Sequence, residues 1–358
     1  MRNAVIARDT VAQAAAQSIL AEEGTAVDMA LAGLLAGAAR ASSASLLGAA
    51  GVLLAGPGMG LHFVDGRARA PGIGTVRPKS VESPGDATRA AVPGLLECVL
   101  AAHARFGSLP LSVITKAAIA AIRESGPDAA TKQRLAVLEQ FHRTGIAVLD
   151  RVGVLRAILE SVGPVAAGTF TVDDLAPRAA PVVSPIPCTD GSHEVAVPPR
   201  YRARPSAHAP EALPAIGVES LVVADMHGVI VTVAWLVAPP AIALPEVPGL
   251  ALAALLPVPR KGVPRWRPGT PLPSPLPLAI CRAAGRAWAG LGVSGHGDVV
   301  TLRDEAITAR LANVGIACAL GDGSSAVSRD AVALWMIRDA AGDNVEASMT
   351  SLGAMLSP

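Results

Sequence analysis

Apolar residues recur at helical spacing through the first 40 residues, in two segments (9–23 and 25–40) that Gly24 separates. Thr25 is the predicted N-cap of the second helix, and Asp28 stands where a capping box usually has Glu. Helical spacing returns in four later segments, which are 93–105, 110–126, 129–142 and 150–161. The first half of the chain is therefore predicted to be mainly helical.

Runs rich in β-branched and apolar residues predict strands. The clearest pair, 220–225 and 229–235, flanks Met226-His227-Gly228 and indicates a hairpin. The other predicted strands are 52–55, 60–64, 279–281, 286–291, 317–320 and 333–337, with a helix at 298–314. The proline-rich residues 176–215 are predicted to be a long connection rather than a packed element. Early helices and later antiparallel strands predict an α+β fold in which helices cover sheets.

The composition argues against two classes of partner. A chain of 358 residues with 51% apolar composition buries a large core. Its net charge is only +1 and its aromatic content 3%, so it lacks the basic, aromatic-bearing surface that nucleic-acid binding requires. The longest apolar runs, 31–39 and 250–258, are too short to span a bilayer. We therefore expect neither a nucleic-acid nor a membrane partner.

Cysteine usage and the first residues favour the cytoplasm. Residues 1–9 contain no hydrophobic stretch that ends in a small-residue cleavage site, so no secretory signal is expected. Four cysteines are widely separated and show no CxxC spacing, which is typical of thiols in a reducing compartment: Cys98, Cys188, Cys281 and Cys318. The seven histidines show no metal-ligand spacing, and we expect neither a metal nor a cofactor.

Four short motifs follow one another along the first 126 residues. Residues 23–30 read EGTAVDMA, 65–71 read DGRARAP, 92–95 read VPGL, and 103–110 read HARFGSLP. In this order they resemble the γ-glutamyltranspeptidase family, whose matching motifs read GGNAVDAA, DGRExAP, VPG and AHxRYGxLPW. The resemblance thins after residue 126 but continues.

The resemblance implies the four-layered αββα sandwich of N-terminal-nucleophile (Ntn) hydrolases. We expect one integrated domain made of three parts. Residues 1–175 would be the helical, large-subunit-like part, and 217–358 the β-rich, small-subunit-like part. Between them, the Pro-rich residues 176–216 replace a helical insertion that the family has before its nucleophile.

The family's nucleophile is an internal threonine that first splits the chain and then attacks the substrate. The motif around it, TTHxSVVDxxGNAV, matches residues 218–231, with Asp225 and Gly228 fixing the alignment without gaps. This alignment puts Val218 at the nucleophile. Valine has no hydroxyl, so we expect no catalytic residue and an unprocessed single chain. Ser220 is the nearest hydroxyl and the weaker alternative nucleophile.

The other polar positions of the family's site are also lost. The residues that match them are Leu236 and Ala238 after the nucleophile, Ala253 and Leu255 in the amine-binding segment, and His296 at the second oxyanion-hole glycine. Three matches keep a suitable residue: Arg67 at the carboxylate clamp, Ser274 at the serine pair whose other member matches Pro273, and Gly295 at the first oxyanion-hole glycine. Arg67, Ser274 and Gly295 are thus the candidate ligand-binding residues, although Arg67 could equally pair with a core carboxylate.

Three functions remain open on the sequence alone. The first is a pseudo-enzyme that acts as a binding, scaffold or partner subunit. The second is a diverged amide hydrolase or γ-glutamyl-type acyltransferase with a non-standard nucleophile such as Ser220, and the third is a small-carboxylate binder that uses Arg67. We expect an apolar, filled site at Val218. We also expect a homo-oligomer or a hetero-complex whose interface lies near residues 200–215.

Overall fold

A computed structural model describes residues 3–75, 86–151, 153–175, 183–184, 186–188, 191–199, 216–257, 266–318, 320, 330–339 and 344–352. The helices are α1 (Thr10–Ser18), α2 (Ala26–Ala41), α3 (Leu95–Phe106), α4 (Leu111–Glu124), α5 (Ala129–Thr144), α6 (Val148–Arg151), α7 (Val154–Val162) and α8 (Val299–Asn313). Short 3₁₀ helices lie at Ile19–Glu22, Asp86–Arg89, Gly145–Ala147, Pro164–Ala166 and Val172–Leu175.

The strands form two large antiparallel sheets and one small one. The strands are β1 (Ala4–Ala7), β2 (Ala50–Gly56), β3 (Gly60–Gly66), β4 (Ile186–Pro187), β5 (His193–Ala196), β6 (Gly217–Ala224), β7 (Ile230–Val237), β8 (Ala241–Ala243), β9 (Ala251–Ala253), β10 (Leu278–Ala283), β11 (Arg286–Ser294), β12 (Val332–Arg338) and β13 (Val345–Ser351). The first sheet has the order β1-β6-β7-β2-β3 and the second β13-β12-β11-β10-β5-β4, while β8 and β9 pair with each other.

The two large sheets face each other and helices cover their outer faces. Strand β11 of the second sheet contacts β6 and β7 of the first, α2 packs on β6 and β7, and α8 packs on β11. The α+β class and the layered αββα arrangement are therefore confirmed. Helix α2 is buried along almost its whole length, from Ala26 to Ala39, because it lies between the first sheet and further helices such as α1 and α4.

Helix α2 begins as its sequence predicts. The Thr25 side chain accepts a hydrogen bond from the Asp28 N–H, and the Asp28 carboxylate accepts one from the Thr25 N–H, which completes the capping box. The buried Asp225 carboxylate, in the turn after β6, also accepts from the Ala26 N–H at 3.1 Å. The turn that fixes the sequence alignment is therefore tied to the first turn of the central helix.

Two glycines of β11 set how closely the sheets approach. A Cβ atom added to Gly290 would lie 2.7 Å from Ile230, and one added to Gly292 would lie 2.7 Å from Ser220. Both distances are shorter than carbon–carbon packing permits, so a side chain at either position would push the sheets apart. Sheets packed face to face are usually about 10 Å apart. The absence of side chains at 290 and 292 lets β11 lie directly against β6 and β7.

The structure corrects three predictions of secondary structure. Part of the supposed connection at 176–215 is packed, because β4 and β5 lie within it and extend the second sheet. No strand forms at residues 317, 318 and 320, the described part of the predicted strand 317–320. The edge strands β1 and β13 were not predicted. Residues 200–215, where we expected an interface, lie outside the described part of the chain.

None of the helices in the described ranges combines the length and the apolar character that a bilayer crossing requires. The division into residues 1–175, 176–216 and 217–358 stays a prediction.

Candidate functional site

The position that matches the family's nucleophile lies at the start of β6. Val218 is 1% exposed, and it pairs across the sheet with Leu236 of β7, which is fully buried. Both side chains belong to the apolar cluster between the two sheets, together with Ala253, Leu255 and Leu276. An apolar side chain packed in this way offers neither a nucleophile nor a group that could activate one.

The backbone of Val218 is bonded to the residue at the candidate oxyanion position. The Val218 N–H donates to the Gly295 carbonyl at 2.8 Å, and the Gly295 N–H donates to the Val218 carbonyl at 2.9 Å. An oxyanion hole needs N–H donors that point at the reacting oxygen. The Gly295 N–H instead satisfies the carbonyl of Val218 itself.

Glycine at 295 has a packing reason of its own. Its φ is +155°, and an added Cβ would lie 2.9 Å from the Ala331 Cα. A side chain there would collide with the chain just before β12. The glycine that the sequence comparison preserves is therefore required by this close approach, with or without a ligand.

Ser220 lies two residues further along β6 and is fully buried. Its hydroxyl donates to the Val293 carbonyl at 2.8 Å, and its N–H donates to the Ser294 Oγ at 2.9 Å. Both contacts join β6 to the end of β11. A nucleophilic serine needs a base to accept its proton, and a peptide carbonyl is too weak a base for that task.

Comparisons with known proteins agree with this reading of the fold. Residues 12–142 match the family model of gamma-glutamyltranspeptidase. This part of the chain is therefore similar to the γ-glutamyltranspeptidases. The cephalosporin acylase from Bacillus halodurans is 13% identical, with a TM-score of 0.66, over 98% of this chain and 94% of that one. LmbA2991HD is 16% identical, with a TM-score of 0.59, over 98% of this chain and 97% of that one. The chain thus has the Ntn-hydrolase fold over nearly its whole length. No curated protein matches it significantly.

In this γ-glutamyltranspeptidase-like chain, the carboxylate of Glu219, the residue after Val218, lies on the opposite face of β6. Glu219 pairs with Trp235 of β7, and Trp235 packs beneath α2, so Glu219 faces the helical layer. Burial raises the pKa of Glu219, and its Oε1 lies 4.0 Å from the Arg8 Nε. No motif or spacing in the sequence singles out this residue. It lies on the face of β6 opposite to Val218, so it cannot serve as a base there.

Arg67, the candidate carboxylate clamp, binds a carboxylate of the protein itself. Its Nε and Nη2 donate to the two oxygens of Asp65 at 2.9 and 2.8 Å, and its Nη1 donates to the Pro199 carbonyl at 2.6 Å. The guanidinium also lies over the Phe63 ring, 5.5 Å from its centre. The side chain of Arg67 is only 4% exposed. Arg67 thus pairs with a core carboxylate, which is one of the two roles that the sequence left open. The identity of its partner, Asp65, was not predicted.

Ser274 and Arg67 lie at the ends of two extended segments that pair with each other. The Leu272 N–H donates to the Ala68 carbonyl and the Ala70 N–H to the Thr270 carbonyl, so Arg67 and Ser274 lie at the same end of this pairing. The Ser274 hydroxyl makes a long contact, 3.4 Å, with the Leu272 carbonyl. The structure thus places Arg67 and Ser274 on paired segments, and it joins Val218 to Gly295 two residues before Ser220 on β6.

Two further positions complete the site. Ala238 was expected to help fill it, but Ala238 is exposed, because the chain leaves β7 at Val237 and turns with φ +49° at residue 238. His296 is also exposed, and its Nε2 would lie 2.7 Å from a Cβ added to Gly217. The imidazole therefore covers the residue just before Val218. Within the described ranges, no group of three or more His, Cys, Asp or Glu side chains is arranged to hold a metal ion.

Proposed function

We propose that this chain is a catalytically inactive relative of the γ-glutamyltranspeptidases that acts as a binding, scaffold or partner subunit and stays a single, uncut chain. The observation that carries the proposal is the pair Val218–Gly295. The nucleophile position has no hydroxyl, and the backbone donor expected to hold an oxyanion is bonded to the Val218 carbonyl. Nucleophile and electrostatic stabilisation, two main contributions to acyl transfer, are both missing.

The packing around Val218 supports the same conclusion. Val218, Leu236, Ala253 and Leu255 are each at most 4% exposed and share one apolar cluster. A substrate with an ammonium and a carboxylate needs charged or polar partners in its site. These side chains offer none, and their removal from water stabilises the closed state.

The two alternatives find less support. A diverged hydrolase would need a reactive Ser220, but its hydroxyl is buried and donates to Val293. A small-carboxylate binder would need the fork of Arg67, but Asp65 already occupies two of its donors. The cysteines are free thiols, which supports the cytoplasm as the proposed compartment.

The direct test is turnover of γ-glutamyl-p-nitroanilide, with an active γ-glutamyl transferase assayed in parallel as a positive control. We expect no release of p-nitroaniline above the buffer rate, with or without an acceptor dipeptide. Turnover that disappears in Ser220→Ala would contradict the proposal and establish the diverged-enzyme alternative. Turnover that Ser220→Ala leaves unchanged would point to a contaminating enzyme. It should disappear when the variant is purified over a second, independent column.

A further inference from the structure

Strand β13 is one edge of the six-stranded sheet, and its inner neighbour is β12. The pairs at both ends of this ladder are joined by hydrogen bonds, from the Asp339 N–H to the Asn344 carbonyl and from the Leu352 N–H to the Ala331 carbonyl. Hydrogen-bonded and non-bonded pairs alternate along an antiparallel ladder. Ser348, which pairs with Trp335, therefore directs its backbone groups towards β12.

The alternate residues direct their backbone groups away from the sheet. By the same alternation, the N–H and C=O groups of Val345, Ala347, Met349 and Ser351 point outward from the edge. Ala347 and Met349 are exposed, Met349 by 49%. The strand is thus a template onto which a further strand can add.

This edge lacks four features by which proteins prevent such pairing, namely short length, proline, lysine and a bulge, and it carries one charged residue, Glu346. β13 is seven residues long, contains neither proline nor lysine, and pairs with β12 in an unbroken register. The opposite edge of the same sheet, β4, has only two residues, one of them Pro187. In the first sheet, the edge strand β1 has four residues, whereas the other edge, β3, has seven and is contacted by α3. Length alone therefore does not single out β13, and the case for a partner rests on its sequence and its surroundings.

The sequence of β13 is complementary to itself. In an antiparallel pair of two copies centred on Ser348, Val345 faces Ser351 and Ala347 faces Met349 of the second copy, and these four residues carry the outward backbone groups. Glu346 faces Thr350, so no two like charges meet. Each exposed Met349 packs against an Ala347. A two-fold interface requires this kind of self-complementary surface.

The surroundings of the edge suit a second copy. Strand β1, at the edge of the first sheet, contacts both β12 and β13, so the two layers of the sandwich end on the same side. Arg338 of β12 donates to the Asp225 carbonyl and so holds the β6–β7 turn, which carries the 49% exposed Met226, beside the end of β12 that pairs with Val345. Apolar surface thus lies close to the outward edge.

We propose that β13 is a dimerisation strand, which pairs antiparallel with β13 of a second copy about a two-fold axis at Ser348. The second sheets of the two copies then form one continuous sheet. The proposal does not depend on whether the chain is catalytically active, and its test measures assembly alone.

The mass in solution is measured by light scattering after size-exclusion chromatography at about 50 µM. We expect twice the chain mass of 36.0 kDa. Ala347→Pro removes an outward N–H but no hydrogen bond to β12, and proline is tolerated at such edge positions. We expect this variant to be a folded monomer, with unchanged circular dichroism. A monomeric wild type, or a dimer that Ala347→Pro leaves intact, would overturn the proposal.

A crosslinking pair tests the register independently. Ser348 would face its own copy in a non-bonded pair, where Cα atoms lie about 4.5 Å apart, within disulfide range. We expect Ser348→Cys to form an intermolecular disulfide within minutes under mild oxidation. Thr350→Cys is the matched control, because it faces Glu346 and should crosslink at least about tenfold more slowly. Equal rates for the two variants would exclude this register. The native cysteines are all buried and do not interfere.

Discussion

Val218 and Gly295 are joined by a pair of reciprocal backbone hydrogen bonds, 2.8 and 2.9 Å long. In the sequence alignment, the first residue matches the family's nucleophile and the second matches one glycine of its oxyanion hole. In this chain the two positions satisfy each other. The loss of the hydroxyl and the closing of the backbone around it therefore reinforce each other, and restoring one would not restore the site.

Chain processing tests this interdependence. We expect the purified protein to give one intact mass of 36.0 kDa. Val218→Thr, which restores the hydroxyl, should also remain uncut, because the Gly295 N–H stays bonded to the carbonyl of residue 218. Val218→Ala is the control for the change in side-chain packing.

Intact mass spectrometry gives the answer for all three proteins. Two fragments from the wild type, with a new N-terminus between residues 216 and 221, would disprove the single-chain proposal. Self-cleavage of Val218→Thr alone would confirm the alignment at residue 218, but it would refute the claim that the backbone pairing blocks the reaction.

Arg67 should contribute strongly to stability. Replacing it in Arg67→Met leaves the largely buried carboxylate of Asp65 without its bidentate partner, which typically costs about 3–5 kcal/mol. The double variant Asp65→Asn/Arg67→Met should recover part of this loss. The exposed ion pair Arg156–Glu160 provides the control, and Arg156→Met should leave the free energy of unfolding almost unchanged. Urea unfolding measures all of these differences.

The wild type and the variant Arg67→Lys test the small-acid alternative. L-Glutamate should not raise the melting temperature of the wild type, because the Arg67 fork is bonded to Asp65. A ligand that binds only the folded state always raises it. Stabilisation of the wild type by glutamate, absent in Arg67→Lys, would favour the small-carboxylate binder instead.

The buried thiols should be inert in the folded protein. Burial, with smaller effects of nearby Cys188 and Cys318, raises the pKa of Cys281 to about 12, and burial also raises the pKa of Cys98. Because the thiolate is the reactive form, Cys281 should react with Ellman's reagent at pH 8 about a thousandfold more slowly than in denaturant. Fast labelling of the native protein would contradict this burial.

The raised pKa of Cys281 also affects the stability of the protein at alkaline pH. The unfolded chain ionises its cysteines near pH 9, whereas folded Cys281 keeps its proton until about pH 12. The contribution of Cys281 to stability is therefore complete below pH 9 and declines as the pH rises towards 12. Urea unfolding at pH 8 and pH 10 should show less of this decline in Cys281→Ala than in the wild type.

Elements with local signals were predictable from the sequence. The capping box of Thr25 and Asp28 and the β6–β7 hairpin form as their residues indicate. Edge strands were not predictable, because β13, with Glu346 and Ser348 among its residues, has a weak apolar pattern and is defined by its pairing with β12. Strands β4 and β5 were not predicted either, because the proline-rich sequence around them indicates a connection.

At the site, the sequence predicted the loss of polar groups and the burial of Val218, Leu236, Ala253 and Leu255. It could not choose between the two roles of Arg67, because Asp65 lies only two residues away and the orientation of both side chains decides the outcome. Nor could it show that Gly295 donates to Val218, since that bond depends on how two strands distant in sequence meet.

Gly290 and Gly292 fix the distance between the two large sheets at the candidate site. Because these residues have no side chain, β11 lies directly against the strand that carries Val218, and Gly292 is in contact with Ser220. Apolar side chains such as Leu236 fill the space around Val218, and the backbone of the opposite sheet closes the space above Ser220. Engineering turnover into this scaffold is therefore a problem of moving one sheet relative to the other, and point substitutions within β6 cannot reach it.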